Sequence, residues 1–180
     1  LFERNPGGAP ANVLTAAARF GRATAFLGKV GGDMHGRFLR QTLLDAGIDV
    51  SGLVMAPDVF TTLAFVALNE NGERSFSFAR KPGADTCLRP EELNAAVLDS
   101  CRVLHVGSLS LTDEPARSAT FAAVERAKAA GAVISYDPNY RAALWPDAET
   151  AARHMRSMAP YVDVMKLSDE ETALLTDESD

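Results

Sequence analysis

The sequence predicts an α/β protein: a mainly parallel sheet covered on both faces by helices, with one antiparallel hairpin inserted. Three observations carry this. After Pro90, helical stretches alternate with apolar runs of strand length, the rhythm of a parallel sheet. Small or polar residues follow each apolar run at once, as at Gly31-Gly32-Asp33, Gly107-Ser108, Asp137-Pro138-Asn139 and Ser168-Asp169-Glu170-Glu171. One stretch, TTLAFVALNENGERSFSFAR, alternates with period two on both sides of Asn71-Gly72, a pair suited to a turn needing positive φ.

The elements follow in order. Residues 10–20 are rich in Ala and end at Gly21, which reads as a helix. ATAFLGKV reads as a buried strand closed by Gly31-Gly32. Residues 33–46 form a helix with Asp33 as N-cap and Gly47 as stop, its apolar face being Phe38, Leu39, Leu43, Leu44 and Ala46. In the hairpin, Phe76, Phe78 and Arg80 share one face, and Ser75, Ser77 and Ala79 the other. A helix over 91–98 leads to the strand RVLHVG. A helix over 114–130, capped by Thr112 or Asp113, leads to AVISYD. A helix over 147–158 leads to VDVMKLS, and a last short helix starts near Asp169. His105, inside a strand, is read as a satisfied core histidine.

Composition narrows the function. The 180 residues are 47% hydrophobic and 23% charged, enough for a real core. The net charge of −6 carries no basic stripe, so neither nucleic acid nor an anionic membrane is expected as a partner. No apolar run approaches a membrane span, and LFERNPGG has no signal-peptide layout. Cys87 and Cys101 form no CxxC pair, which favours a reduced, cytoplasmic protein. Leu1 in place of Met, and an end at Asp180 just past a short helix, lead to the expectation of a chain truncated at both ends.

In an open parallel sheet, ligands bind beyond the carboxyl ends of the strands. The familiar phosphate motifs GxGxxG and GxxxxGK[ST] are absent, as are HExxH and GxSxG. What stands out instead is NPGGAPANVLTAAARFG. Gly7 and Gly8 let a ligand approach the backbone closely. Asn12 sits at a helix start, where N–H donors are free, and both donates and accepts. The residues suit a polar pad for sugar hydroxyls; a glycine turn plus a helix cap is the alternative reading.

GGAPANV, then Gly21, then GKVGGDMHG, resembles the first signature of the PfkB family of sugar kinases, the ribokinase-like fold. The hairpin stretch, VLHVGSLSL, SYDPNYR, LWP and VMKLSDEETALLT are similar to the fructokinase branch. The resemblance runs over essentially the whole chain. It implies a three-layer α/β/α domain over 1–180 with a β-lid inserted at about 59–80. It implies transfer of the γ-phosphate of ATP, with Mg²⁺, to a ketohexose, D-fructose giving fructose 6-phosphate.

By the same resemblance, Gly7, Gly8 and Asn12 match sugar-contacting positions, and Phe78 and Arg80 of the lid would cover the sugar. Lys166, Ser168 and Glu171 fall at the nucleotide-phosphate end, with Ser168 where many members carry Asn. Glu171 would organise Mg²⁺ indirectly. Arg141 would pair with phosphate or fix its loop through Asp137. A homodimer through the lid is implied too. The family's Gly-Ala-Gly-Asp turn, with its catalytic base and anion hole, does not occur in the 180 residues, so no catalytic residue is assigned. Two alternatives stand beside this reading: a non-catalytic, truncated paralogue that binds a sugar or a partner, and a kinase for 2-keto-3-deoxygluconate.

Overall fold

The structure is a computed structural model and describes residues 3–68 and 74–176. The predicted Asn71-Gly72 turn lies outside the described residues. Helix α1 (Ala9–Arg19) has Pro10 in its first turn, and strand β1 (Ala25–Gly31) follows. Helix α2 (Met34–Asp45) starts where predicted, because Asp33 Oδ1 accepts from the amides of His35 at 2.9 Å and Gly36 at 2.8 Å.

Strand β2 (Asp49–Ala56) was not foreseen; it lies parallel to β1, from Ala25 opposite Asp49 to Gly31 opposite Ala56. Its sequence, DVSGLVMA, neither alternates nor runs apolar, and Gly52 interrupts it. Pairing with β1 and packing of Leu53 on α1 and α2 make it a strand.

The hairpin forms as predicted from β3 (Leu63–Leu68) and β4 (Arg74–Ala79), with Ala64 opposite Phe78 and Val66 opposite Phe76. The expected helix over 91–98 is instead a 3₁₀ turn, Pro90–Glu92, and a short helix α3 (Ala95–Ser100). Asn94 caps α3 and so splits the segment. Then come β5 (Val103–Val106), α4 (Ala116–Ala129), β6 (Val133–Tyr136), α5 (Ala148–Met158), β7 (Val164–Met165) and α6 (Asp169–Thr176). Neither Thr112 nor Asp113 caps α4. Glu114 takes that part, its Oε2 accepting from the Ser118 amide at 3.1 Å and hydroxyl at 2.8 Å. Strand β7 is far shorter than the predicted run: Val164 and Met165 lie in register with Ser135 and Tyr136 of β6, with the Asp163 and Lys166 amides bonding to β6 carbonyls on either side.

Among the described residues, the parallel strands form two sheets, β1-β2 and β5-β6-β7 in that order. Two cores flank them. Val30, Leu43, Ile48 and Leu53 pack with Ala11, Leu14 and Leu39 under α1 and α2. Leu98, Leu111, Val124, Ile134, Tyr136, Met155 and Met158 form the larger core, which Leu27 of β1 joins from the opposite strand face.

Full coverage of both faces was expected of the sheet; β5-β6-β7 departs from that. Ile134 and Tyr136 are wholly buried, whereas on the other face Val103 and Val164 are each 57% exposed. Leu44, assigned to the apolar face of α2, is also exposed. His105 is half-buried and satisfied by Ser135 Oγ, 3.0 Å from its Nδ1, as read. Burial lowers its basicity against the opposing charge of Asp137.

Candidate functional site

The pad ahead of α1 is exposed. Gly8 has φ +118°, a conformation that side chains rarely adopt, while a Cβ at Gly7 would meet nothing within 4 Å. Helix α1 has no side-chain cap, so its first amides keep free donors. The Asn12 amide donates to the Gly8 carbonyl at 3.0 Å, and its side chain stays exposed, with no hydrogen-bond partner among the described residues. Helix capping by Asn12 is therefore not what this stretch does.

At the end of β1, Asp33 does more than cap α2. Its Oδ2 accepts from the Thr61 amide at 2.7 Å and its Oδ1 from the Thr61 hydroxyl at 2.9 Å, and that hydroxyl accepts from the Gly31 amide at 3.0 Å. Burial pushes the Asp33 carboxyl up, but these amides and the hydroxyl outweigh it and hold it below the usual carboxylate range. The residue joins the end of β1, the start of α2 and the entry to the hairpin.

The hairpin aromatics share a face as predicted, with Phe76 and Phe78 stacked at 6.3 Å between ring centroids. Phe78 is half-buried and Phe76 about half exposed. Arg80 is buried, and its guanidinium is committed to Asp85, Thr112 and the Leu109 carbonyl rather than open to solvent.

The carboxyl ends of β6 and β7 meet at Glu171. This residue is 3% exposed. One oxygen accepts from the Tyr140 amide at 2.7 Å and the other from the Ser168 amide at 2.8 Å, while Ser168 Oγ accepts from the Glu171 amide at 3.3 Å. Burial pushes the Glu171 carboxyl up. The amides of Ser168 and Tyr140, the Ser168 hydroxyl and the charge of Lys166 outweigh it and bring it below its usual range.

One carboxylate thus pins the Asp137–Tyr140 loop to the turn before α6. In that loop Asn139 takes φ +48°, a left-handed conformation that Asn tolerates, and its amide donates to Asp137 Oδ1 at 3.1 Å. Lys166 is exposed, with Nζ 3.6 Å from Asp137 Oδ1. Arg141 is exposed as well and donates to the Tyr140 carbonyl at 2.8 Å, so it does not fix its loop through Asp137. Ser168 and Glu171 are therefore joined, with the charge of Lys166 beside them. Tyr136 beneath them was not foreseen: it is fully buried, and burial together with the charges of Glu171 and Asp137 drives its hydroxyl pKa upward.

A cavity of about 440 Å³ lies beside Lys29, Ala56, Asp58, Val59 and Glu92, and another of about 470 Å³ between α5 and α6. Neither includes a residue of the pad or of the Glu171 cluster. No helix among the described residues is long and apolar enough to cross a membrane.

A family model for the pfkB family of carbohydrate kinases matches residues 2–180. The chain is 48% identical over 175 residues to a protein named probable fructokinase-4 from Arabidopsis thaliana, covering 97% of this chain and 54% of that one. It is 44% identical to the crystal structure of a fructokinase from Xylella fastidiosa with bound ATP, at TM-score 0.89, covering 95% of this chain and 54% of that. It is 40% identical to a Vibrio cholerae O395 fructokinase solved in a fructose-, ADP- and calcium-bound form, at TM-score 0.86, covering 97% and 56%. The chain spans about half the length of the curated relatives it matches.

Proposed function

This chain belongs to the pfkB family of carbohydrate kinases, and from that membership we propose that it carries the sugar-binding face and part of the phosphate end of a cytoplasmic fructokinase. The reaction is transfer of the γ-phosphate of ATP to the 6-hydroxyl of D-fructose. One observation carries the reading. The pad, the hairpin and the braced strand ends occur in one chain that is similar throughout to fructokinases solved with ATP and with fructose and ADP.

In this reading residues 1–180 are a partial kinase domain with the lid at about 59–80. Gly7, Gly8 and Asn12 receive sugar hydroxyls, and Phe78 lies over the sugar from the lid. Lys166 offers an exposed cation to nucleotide phosphate, and Ser168 and Glu171 hold the shape of that end. Phosphoryl transfer depends on positioning and on charge stabilisation, and these residues supply the positioning.

Mg²⁺ enters with the nucleotide. Glu171 does not fit as a direct ligand, because it is almost wholly buried and each of its oxygens is turned to a backbone amide. No group of three metal-ligating side chains occurs among the described residues. Glu171 bears on a metal only by fixing the two loops beside it. The lid also supports a homodimer, since Val66 and Phe76, opposite each other on one hairpin face, expose apolar surface that a second lid would cover.

The test is ADP formation by the purified full-length protein with ATP and fructose, with 2-keto-3-deoxygluconate, and with no sugar. Fructose-dependent ADP release is expected. Sugar binding without turnover favours a non-catalytic binder, and preference for the keto-deoxy acid overturns the choice of sugar.

A further inference from the structure

The two strands of the hairpin pair with each other, yet Val66 and Phe76 remain 53 and 52% exposed, so that face of the hairpin is not packed against the domain. How the hairpin stands on the domain is set at its base. Asp85 Oδ1 accepts from the hydroxyl of Thr62, just before β3, and Asp85 Oδ2 accepts from Arg80 Nε at 2.8 Å, just after β4. One carboxylate therefore gathers both legs of the hairpin.

Arg80, 8% exposed, carries the connection further. Its second and third nitrogens donate to Thr112 Oγ1 at 2.9 Å and to the Leu109 carbonyl at 2.7 Å. Leu109 lies in the 3₁₀ turn Ser108–Leu111, immediately beyond β5 and on the ligand side of the sheet. The connecting turn has no room to relax: a Cβ at Gly83 would overlap the Thr62 hydroxyl and come within 2.8 Å of Asp85 Oδ1.

We propose that Asp85 and Arg80 form a positioning pair that fixes the lid relative to the β5 strand end, so that Arg80 serves sugar binding through the lid base and not as a sugar contact. This rests on the kinase reading above. A planar guanidinium with directed donors reaches three partners at once; the point charge of a lysine does not. The carboxylate is needed because it offers two acceptor oxygens to two different legs.

The test uses the full-length protein, with steady-state kinetics and amide hydrogen exchange on Asp85→Asn, Arg80→Lys and the double variant. Each single change is expected to raise the KM for fructose about tenfold or more, as small misplacements at a site do. The KM for ATP should stay within about twofold, since only groups that bind nucleotide move it. The double variant should be no worse than the weaker single, because coupled groups are not additive.

Amides of β3 and β4 should exchange faster while those of α4 and β6 do not change. If Asp85→Asn fails to fold, Thr112→Val, which removes one bond from the same brace, carries the test. The proposal is overturned if the Arg80 variant loses sugar binding while Asp85→Asn keeps it, or if β3 and β4 exchange is unchanged. A wild-type protein that phosphorylates no sugar sinks the kinase reading alone, and the exchange experiment still decides the role of the pair.

Discussion

Two carboxylates in this molecule do similar work in different surroundings. Glu171 joins the ends of β6 and β7 by accepting neutral backbone amides while almost fully buried. Asp85 joins the two legs of the hairpin by accepting a hydroxyl and a buried guanidinium, with 40% of its own side chain exposed. A buried acceptor paired with amides locks loops into one arrangement and makes them part of the core. A half-exposed ion pair holds a peripheral element in a set attitude without burying it. The first belongs to the joined ends of β6 and β7, the second to an element whose apolar surface stays open.

The sharpest way to break this contrast is Glu171→Ala. It leaves two amides beside a cavity, and each buried unpaired group costs roughly 1–3 kcal/mol. A loss of about 3 kcal/mol in the unfolding free energy of the full-length protein is expected, read by denaturant titration. An effect under half of that would mean that the loops hold themselves.

Next comes Gly7→Ala. The new methyl meets no protein atom within 4 Å, so stability should not change. Fructose affinity should fall about tenfold, roughly 1.4 kcal/mol, if a sugar lies against that backbone. Isothermal titration beside a thermal melt separates the two, and unchanged affinity would remove Gly7 from the site.

The pH dependence follows in size. Glu171 and Asp33 have folded-state pKa values below their usual 4.5 and 3.8. The unfolded chain therefore binds more protons, and the stability they contribute is complete above those values and lost as pH falls through the lower folded ones. Glu171→Gln should flatten the slope of unfolding free energy below pH 4.5, and an unchanged slope would assign the acid lability elsewhere.

Smallest is Val66→Ser on the open lid. Exposed substitutions stay within about 0.5 kcal/mol. Any lid-mediated dimer should weaken in sedimentation while the melt stays put, and an unaltered dimer would argue for another interface.

Much of the frame was legible along the chain because its signals are local. Asp33 caps α2 from a position where a short polar residue precedes apolar periodicity. Period-two alternation marked β3 and β4, while Ser168 and Glu171 were singled out through the family resemblance, and the structure joins them by a hydrogen bond. What stayed hidden depends on partners far apart in sequence. Strand β2 has no pattern of its own and exists through its pairing with β1. Asp85 gave no sign of its part, since Thr62, on the other leg it holds, lies more than twenty residues earlier in the chain.

By itself, then, the sequence determined the α/β class, the hairpin and most helix starts, all written in periodicity, turn chemistry and contiguous motifs. Only the tertiary structure decided what the buried charges do. A carboxylate's role is set by which amides and cations meet it in space, and chain order alone does not specify those meetings.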